Sequence, residues 1–286
     1  MKLVIRNLVG SVLLLSLFLI SNAAFSQSCT FRTVPVPTQG VSNATGINDI
    51  GAIVGNFFVN ARSEGFLLFR GKFTTFKFPG SDETTPHDIN NHAQIVGDYL
   101  EANHAQHGFI AHSGGFAAIN VPGQPRTVAM GINDLGDVVG LSSGPAGSNG
   151  FLLHKGHFTV IRVPNSVFTE AWSINNSGEI VGRYQDTTGT VHGFRFKNGV
   201  YTTVNFPGSF ATELHKINAE GDMVGNYQTQ DARFHGFSLD KGKFRTIDNP
   251  KNTEITLILG LNNRDQIVGG GSSPGQSFEG NCSNVF

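Results

Sequence analysis

The apolar and polar positions of this chain fall into one phrase that returns six times. A stretch ending in Ile-Asn or Leu-Asn passes through a polar turn into an apolar pair and a Gly, as in Ile47-Asn48-Asp49 to Gly55. The first Asn recurs at 48, 90, 133, 175, 218 and 262, in steps of 42 to 44 residues. A Phe, usually after Gly, keeps the same phase at 66, 109, 151, 194, 237 and 278, as does a Pro at 79, 122, 164, 207 and 250, with Pro37 ahead of the first repeat. Each repeat reads as four short strands. Asn, Asp and Gly supply the turn between strands A and B. A variable polar loop leads to strand C (Gly65 to Phe69), and a Gly-centred turn at Gly71 leads to strand D (Phe73 to Phe78). Pro79 ends strand D because it can donate no ladder hydrogen bond.

Four strands in roughly 43 residues is the size of one propeller blade. The pattern predicts an all-β, six-bladed β-propeller, with the strand A Ile or Leu at 47, 89, 132, 174, 217 and 261. The sixth repeat stops after strand C, while the chain carries an unattached strand D at Phe31 to Pro37. Pro37 lies 10 residues before Ile47, the spacing of Pro79 to Ile89, so the N-terminal strand can complete the sixth blade and close the ring. Cys282 and Cys29 occupy the positions of Arg70 and Gly71, adjacent residues of the first C–D turn. A Cys29–Cys282 disulfide would replace the one turn that the chain break removes. A solenoid, the other repeat architecture, would hold these ends far apart.

The unit Ile-Asn-Asn-x-Gly-x-Ile-Val-Gly followed by His-Gly-Phe resembles the bacterial extracellular repeats of the HAF family. The closest instance is Ile174 to Gly182 with His192-Gly193-Phe194, then Asn205-Phe206-Pro207-Gly208. The triplet here is His-Gly-Phe, Glu64-Gly65-Phe66 or Asn149-Gly150-Phe151, not the His-Ala-Phe of the family name. The resemblance implies an exported repeat protein with a propeller-like fold. It implies no reaction and carries over no catalytic residue.

The N-terminus agrees with export. Lys2 and Arg6 precede an apolar run from Leu8 to Ile20, too short for the roughly 20 residues of a membrane-spanning helix. Small residues follow at Ala24 and Ser26. Residues 1–26 read as a signal peptide cleaved before Gln27, with cleavage after Ala23 as the alternative, leaving 27–286 as a single propeller domain. The expected location is secreted or periplasmic, with no membrane span after cleavage and a monomeric state. Charged residues are only 14% against roughly 25% in an average protein, with 36 Gly and 24 Phe, which disfavours helical bundles and charged disorder. The net charge of −1, or −3 without Lys2 and Arg6, offers no field for nucleic acid.

Candidate chemistry is sparse. The recurring Asn-Asn/Asp pairs read as turn formers, and His107, His192 and His235 as structural hydrogen-bonding residues on separate blades. No metal site or cofactor is expected, and no nucleophile elbow, zinc-protease or phosphate-loop motif occurs. Residues that break the repeat near the channel are better candidates. Four and two positions before the strand A Ile, blades four and five carry Glu170 and Trp172, then Glu213 and His215. Two carboxylates beside an aromatic and a His suit sugar binding, or the acid and base of a polysaccharide-acting hydrolase or lyase. Strict alternation would put them on the face of the Ile, where they would pack between blades instead. The B–C segments add Tyr99, Glu101, Tyr184, Asp186, Tyr227 and Gln228 as candidate ligand-binding loop residues. The expectation is a binding module for a glycan or another protein, acting through the face shared by the D–A and B–C loops.

Overall fold

The computed structural model describes residues 29–36, 41–145, 147–251, 255–271 and 277–282. The expected signal peptide, its cleavage site and Pro37 lie outside the described residues. Within them the chain forms six antiparallel four-stranded sheets. In the first blade strands A to D are Ser42–Ile47, Ile53–Val59, Arg62–Phe69 and Lys72–Phe76, hydrogen-bonded in that order. Strands A of blades two to six are Glu83–Ile89, Arg126–Ile132, Phe168–Ile174, Ala211–Ile217 and Leu257–Leu261. The fold is a β-propeller with strand A innermost.

Thr30–Thr33 pairs with Phe278–Asn281 as strand D of the sixth blade. Arg32 clasps Glu279 through two hydrogen bonds of 2.8 and 3.0 Å, and Val34 N–H donates to the Ser277 carbonyl at 2.9 Å. The disulfide joins Cys29 to Cys282, so the ring closes as the repeat phase predicts.

Gly and Phe recur together because they share one space. The ring of each recurring Phe is buried over the strand B Gly of its own blade. A Cβ on Gly55 would stand 2.0 Å from the Asn43 carbonyl and 2.7 Å from the Phe66 ring, and the equivalent glycines are as tightly enclosed.

The recurring Asn does two jobs. Its Oδ1 accepts the backbone N–H four residues on in all six blades, closing the A–B hairpin. Its Nδ2 reaches the next blade: Asn48 to the Asn90 carbonyl, Asn90 to Asn133, Asn133 to Asn175, Asn175 to Asn218, and Asn262 back to Asn48, at 3.0–3.2 Å. Asn175→Ala removes this tie and strands buried N–H and C=O groups. A loss of about 2–3 kcal/mol is expected in urea unfolding; a loss under about 0.5 kcal/mol would mean that the ring of amides is incidental.

Asn218 instead donates to Asp222 at 3.3 Å. Burial pushes the Asp222 carboxyl above its ordinary pKa, and the carboxylate of Asp240 adds to the effect. Asp240 is held below its ordinary range: burial opposes this, but Lys241 and the hydrogen bond with Asp222 outweigh it. A folded-state pKa above the unfolded one gives stability that is full at low pH and lost as pH rises through the folded value. Asp222→Asn, which mimics the protonated form, is expected to raise the melting temperature at pH 8 by about 2–4 °C and to leave it unchanged at pH 4. Equal shifts at both pH values would mean that folding does not raise the Asp222 pKa.

Candidate functional site

Each strand A carries a bulge at one equivalent place. Register with strand B shifts between Ala44 and Gly46, Pro86 and Asp88, Ala129 and Gly131, Ala171 and Ser173, Leu214 and Lys216, and Ile258 and Gly260. The extra residue reverses the alternation. Ala44 packs with Ile47, and Ala171 with Ile174, between the blades. The bulged residues Thr45, His87, Met130, Trp172, His215 and Leu259 line the channel instead. The expectation that Trp172 and His215 share the face of the Ile is thereby corrected.

The cavity they line has a volume of about 320 Å³ and sits at the D–A end of the strands. Asn43, Thr85 and Leu257 extend its wall outward, and Asn56 adds an amide from strand B. The lining divides by blade: blades one and two contribute polar groups, whereas Met130, Trp172, Leu257 and Leu259 make the apolar wall. The floor is Lys216, whose Nζ crosses the channel to Asp88 Oδ1 at 2.9 Å. Both residues are buried, on blades three repeats apart and so diametrically opposed. The position they share is Gly46, Gly131 and Gly260 on three other blades. There the backbones approach so closely that a Cβ on Gly46 would meet Asp88 Cα at 2.9 Å. Below the floor, the Asn ring encloses a smaller cavity of about 70 Å³, which Lys216 and Asp88 also line.

Glu170 and Glu213 do come together, but not as a free carboxylate pair. Arg183, one residue beyond the strand B Gly of blade four, donates to Glu170 Oε2 at 2.8 Å and Glu213 Oε1 at 2.5 Å. Its guanidinium lies 4.7 Å from the centre of the Trp172 ring and 5.6 Å from that of Phe168. Trp172 Nε1 donates to Glu170 at 3.2 Å, and its ring meets His215 at 4.3 Å. Burial works against the Arg183 charge, yet the two carboxylates raise its pKa above the ordinary value. Burial likewise opposes ionisation of Glu213, but His215 and Arg183 outweigh it and hold the carboxyl at about 2. A carboxyl so acidic carries no proton at neutral pH and cannot serve there as a general acid. Burial keeps His215 below its usual pKa, with Nε2 3.5 Å from Glu213 Oε2.

The tyrosines are also placed differently from expectation. Tyr99, Tyr184 and Tyr227 lie within strands B, in Ile95–Leu100, Ile180–Gln185 and Met223–Gln228, and all three are buried. Tyr99 stacks on Phe78 and Tyr227 on Phe206, each at 3.7 Å. The Tyr184 and Tyr227 hydroxyls bond to Thr203 and Thr246. Gly-polar-Tyr, as in Gly97-Asp98-Tyr99, is itself a period-two strand with the ring facing the interblade core, which polarity disguised as loop. Gln228 ends its strand and ties Nε2 to the Ala232 carbonyl. Glu101 and Asp186 do lie in B–C loops. Hydrogen bonds from Thr188 and His192 hold the Asp186 carboxyl well below its ordinary pKa, so it organises its own loop. His107, His192 and His235 bond through Nδ1 to Asn120, Asn205 and Asp248.

Sequence reasoning missed Arg183, the Lys216–Asp88 pair and His87. The signal for Lys216 and Asp88 was present: opposite charges in one repeat column, three repeats apart. Among the described residues no group of three or more His, Cys, Asp or Glu is placed to hold a metal ion.

No protein-family model matches the chain, and no curated protein sequence does. Solved propellers do. TolB from Acinetobacter baumannii superposes with a TM-score of 0.60 at 12% identity, over 81% of this chain and 64% of that one. A gluconolactonase from Xanthomonas campestris gives 0.57 at 9% identity, over 91% and 93%. A variant of the Aleuria aurantia lectin, in complex with Fucalpha1-6GlcNAc, gives 0.53 at 13% identity, over 85% and 93%. At such identities the likeness shows the fold alone: a six-bladed propeller, an architecture shared by binding proteins and enzymes.

Proposed function

We propose that this chain is an exported binding module of the HAF-repeat type, whose D–A/B–C face takes a glycan end into the central cavity. The observation that carries the reading is the cavity itself. At about 320 Å³ it falls at the small end of the usual range for ligand pockets, roughly 300–1,000 Å³. It is closed below by Lys216 and Asp88, and it sets a polar arc against an apolar wall, as a sugar ring with its hydroxyl edge and C–H face requires. The lectin neighbour lends the fold a precedent for sugar recognition. A disulfide between residues 253 apart favours an oxidising compartment, as the expected signal peptide does. Tyr99, Tyr184 and Tyr227 have no part in this reading, while Trp172 and His215 line the cavity and Glu170 and Glu213 hold them through Arg183.

The test incubates residues 27–286 with a panel of insoluble polysaccharides and assays bound protein and released sugar together. Binding without release is the expected result. Release that Glu170→Gln abolishes would make the protein a polysaccharide-acting enzyme. Neither binding nor release would remove the glycan and leave a protein partner as the ligand.

A further inference from the structure

His87 projects from the bulge of blade two into the central cavity, and its other edge is tied down. Its Nε2 lies 2.7 Å from Asp98 Oδ1. Asp98 Oδ2 accepts from Gln106 Nε2 at 2.6 Å, and Gln106 Oε1 accepts from Arg126 Nε at 2.6 Å. The relay has a fixed direction. Arginine can only donate, so the Gln106 carbonyl turns to it and the amide N–H turns to Asp98. The Asp98 carboxylate in turn accepts from His87, which places the ring proton on Nε2. Nδ1 is left as an acceptor, and among the described residues no protein group donates to it.

The neighbouring groups have the same polarity. Thr45 Oγ1 donates its hydrogen to the Pro86 carbonyl at 2.9 Å, leaving lone pairs toward the cavity. Asn56 Nδ2 donates to Ser63 at 3.0 Å, leaving its carbonyl oxygen as an acceptor. His87, Thr45 and Asn56 thus ask for hydrogen-bond donors. An ammonium ligand would meet Lys216 at the floor, where Asp88 is already paired with it, and among the described residues no other carboxylate lines the cavity. Uncharged donors are hydroxyls and amide N–H groups, and of these the hydroxyl comes on a ring whose C–H face suits the apolar wall.

We propose that His87 is a specificity-determining residue that accepts a hydrogen bond at Nδ1 from a hydroxyl of a neutral, hydroxyl-rich ligand. The inference rests on the glycan-binding reading and names the group that enforces it. The charged and titratable groups around His87 are Asp98 on strand B, its own neighbour Asp88, and from blade five Lys216, whose Nζ approaches the His87 carbonyl at 3.4 Å, and His215 across the cavity.

Two measurements on residues 27–286 test it. Long-range proton–nitrogen NMR at pH 7.5 should show His87 protonated at Nε2 and bare at Nδ1; the opposite tautomer overturns the inference whether or not a sugar binds. Emission of Trp172, the only Trp in the chain, then follows titration with a panel of neutral methyl glycosides at pH 8. His87→Phe, which keeps a ring and removes the acceptor, should bind roughly tenfold more weakly, the worth of one lost hydrogen bond. His87→Gln, which keeps an acceptor, should retain part of the affinity. Binding that is indifferent to His87→Phe would overturn the role of His87 and leave glycan binding standing. A correct tautomer with no glycoside bound would overturn the glycan reading, and the hydroxyl assignment with it.

Discussion

Replacing Cys29 and Cys282 together by Ser is expected to lower the stability of the propeller by about 4–5 kcal/mol, and its melting temperature by about 10–20 °C. The bond closes a loop of 253 residues, nearly the whole ring. Its loss releases chain entropy to the unfolded state on a scale that few single contacts match. The folded state is exposed at the same place. Strand D of the sixth blade pairs over only four residues, Thr30 to Thr33, and one of its ties is the half-exposed Arg32–Glu279 pair. A propeller blade buries both faces against neighbours, so a sixth blade without its outer strand weakens the seam with the first. Calorimetry of the double variant, and of wild type under reductant, measures the effect. A shift below about 2 °C would mean that the N-terminal strand closes the ring unaided.

Lys216→Met should cost roughly 3–5 kcal/mol, the usual penalty for stranding one partner of a buried ion pair. Asp88 would keep only the Ile132 N–H, at 3.2 Å, for its carboxylate. The double variant Lys216→Met with Asp88→Asn removes the stranded charge and should recover most of that loss. This double-mutant cycle separates charge burial from packing, because both side chains occupy the narrowest ring of the channel. If Lys216→Met unfolds in urea like wild type, water reaches Asp88 and the floor is not sealed.

The architecture was legible because propeller repeats write themselves in phase. Asn48 and its equivalents recur since each one ties its own hairpin and the next blade, and Gly55 recurs since Phe66 fills the space that a Cβ would need. The break in the sixth repeat and the two cysteines were legible for the same reason, as departures from a register. The site was less so. A bulge adds one residue without changing composition, so strict alternation assigns the candidates Trp172 and His215 to the face of the Ile, between the blades, when they face the channel. Tyr99 and Tyr227 read as loop because Asp98 and Asn226 beside them are polar, although Asp98 holds His87 and Asn226 clamps the Ile258 backbone of the next blade. The pairing of Lys216 with Asp88 depends on diametrical opposition, which appears only once the repeat number is turned into a ring.

The central claim is that the D–A end of the channel is a ligand site, and calorimetric titration of soluble oligosaccharides against wild type and Met130→Trp tests it most directly. Met130 lies on the apolar wall, and the larger indole would occupy the space offered to a sugar ring. The account predicts one bound oligosaccharide per wild-type chain and an affinity at least tenfold weaker in the variant, with the melting temperature preserved. Equal affinity in the two proteins would place the ligand elsewhere on the propeller and contradict it.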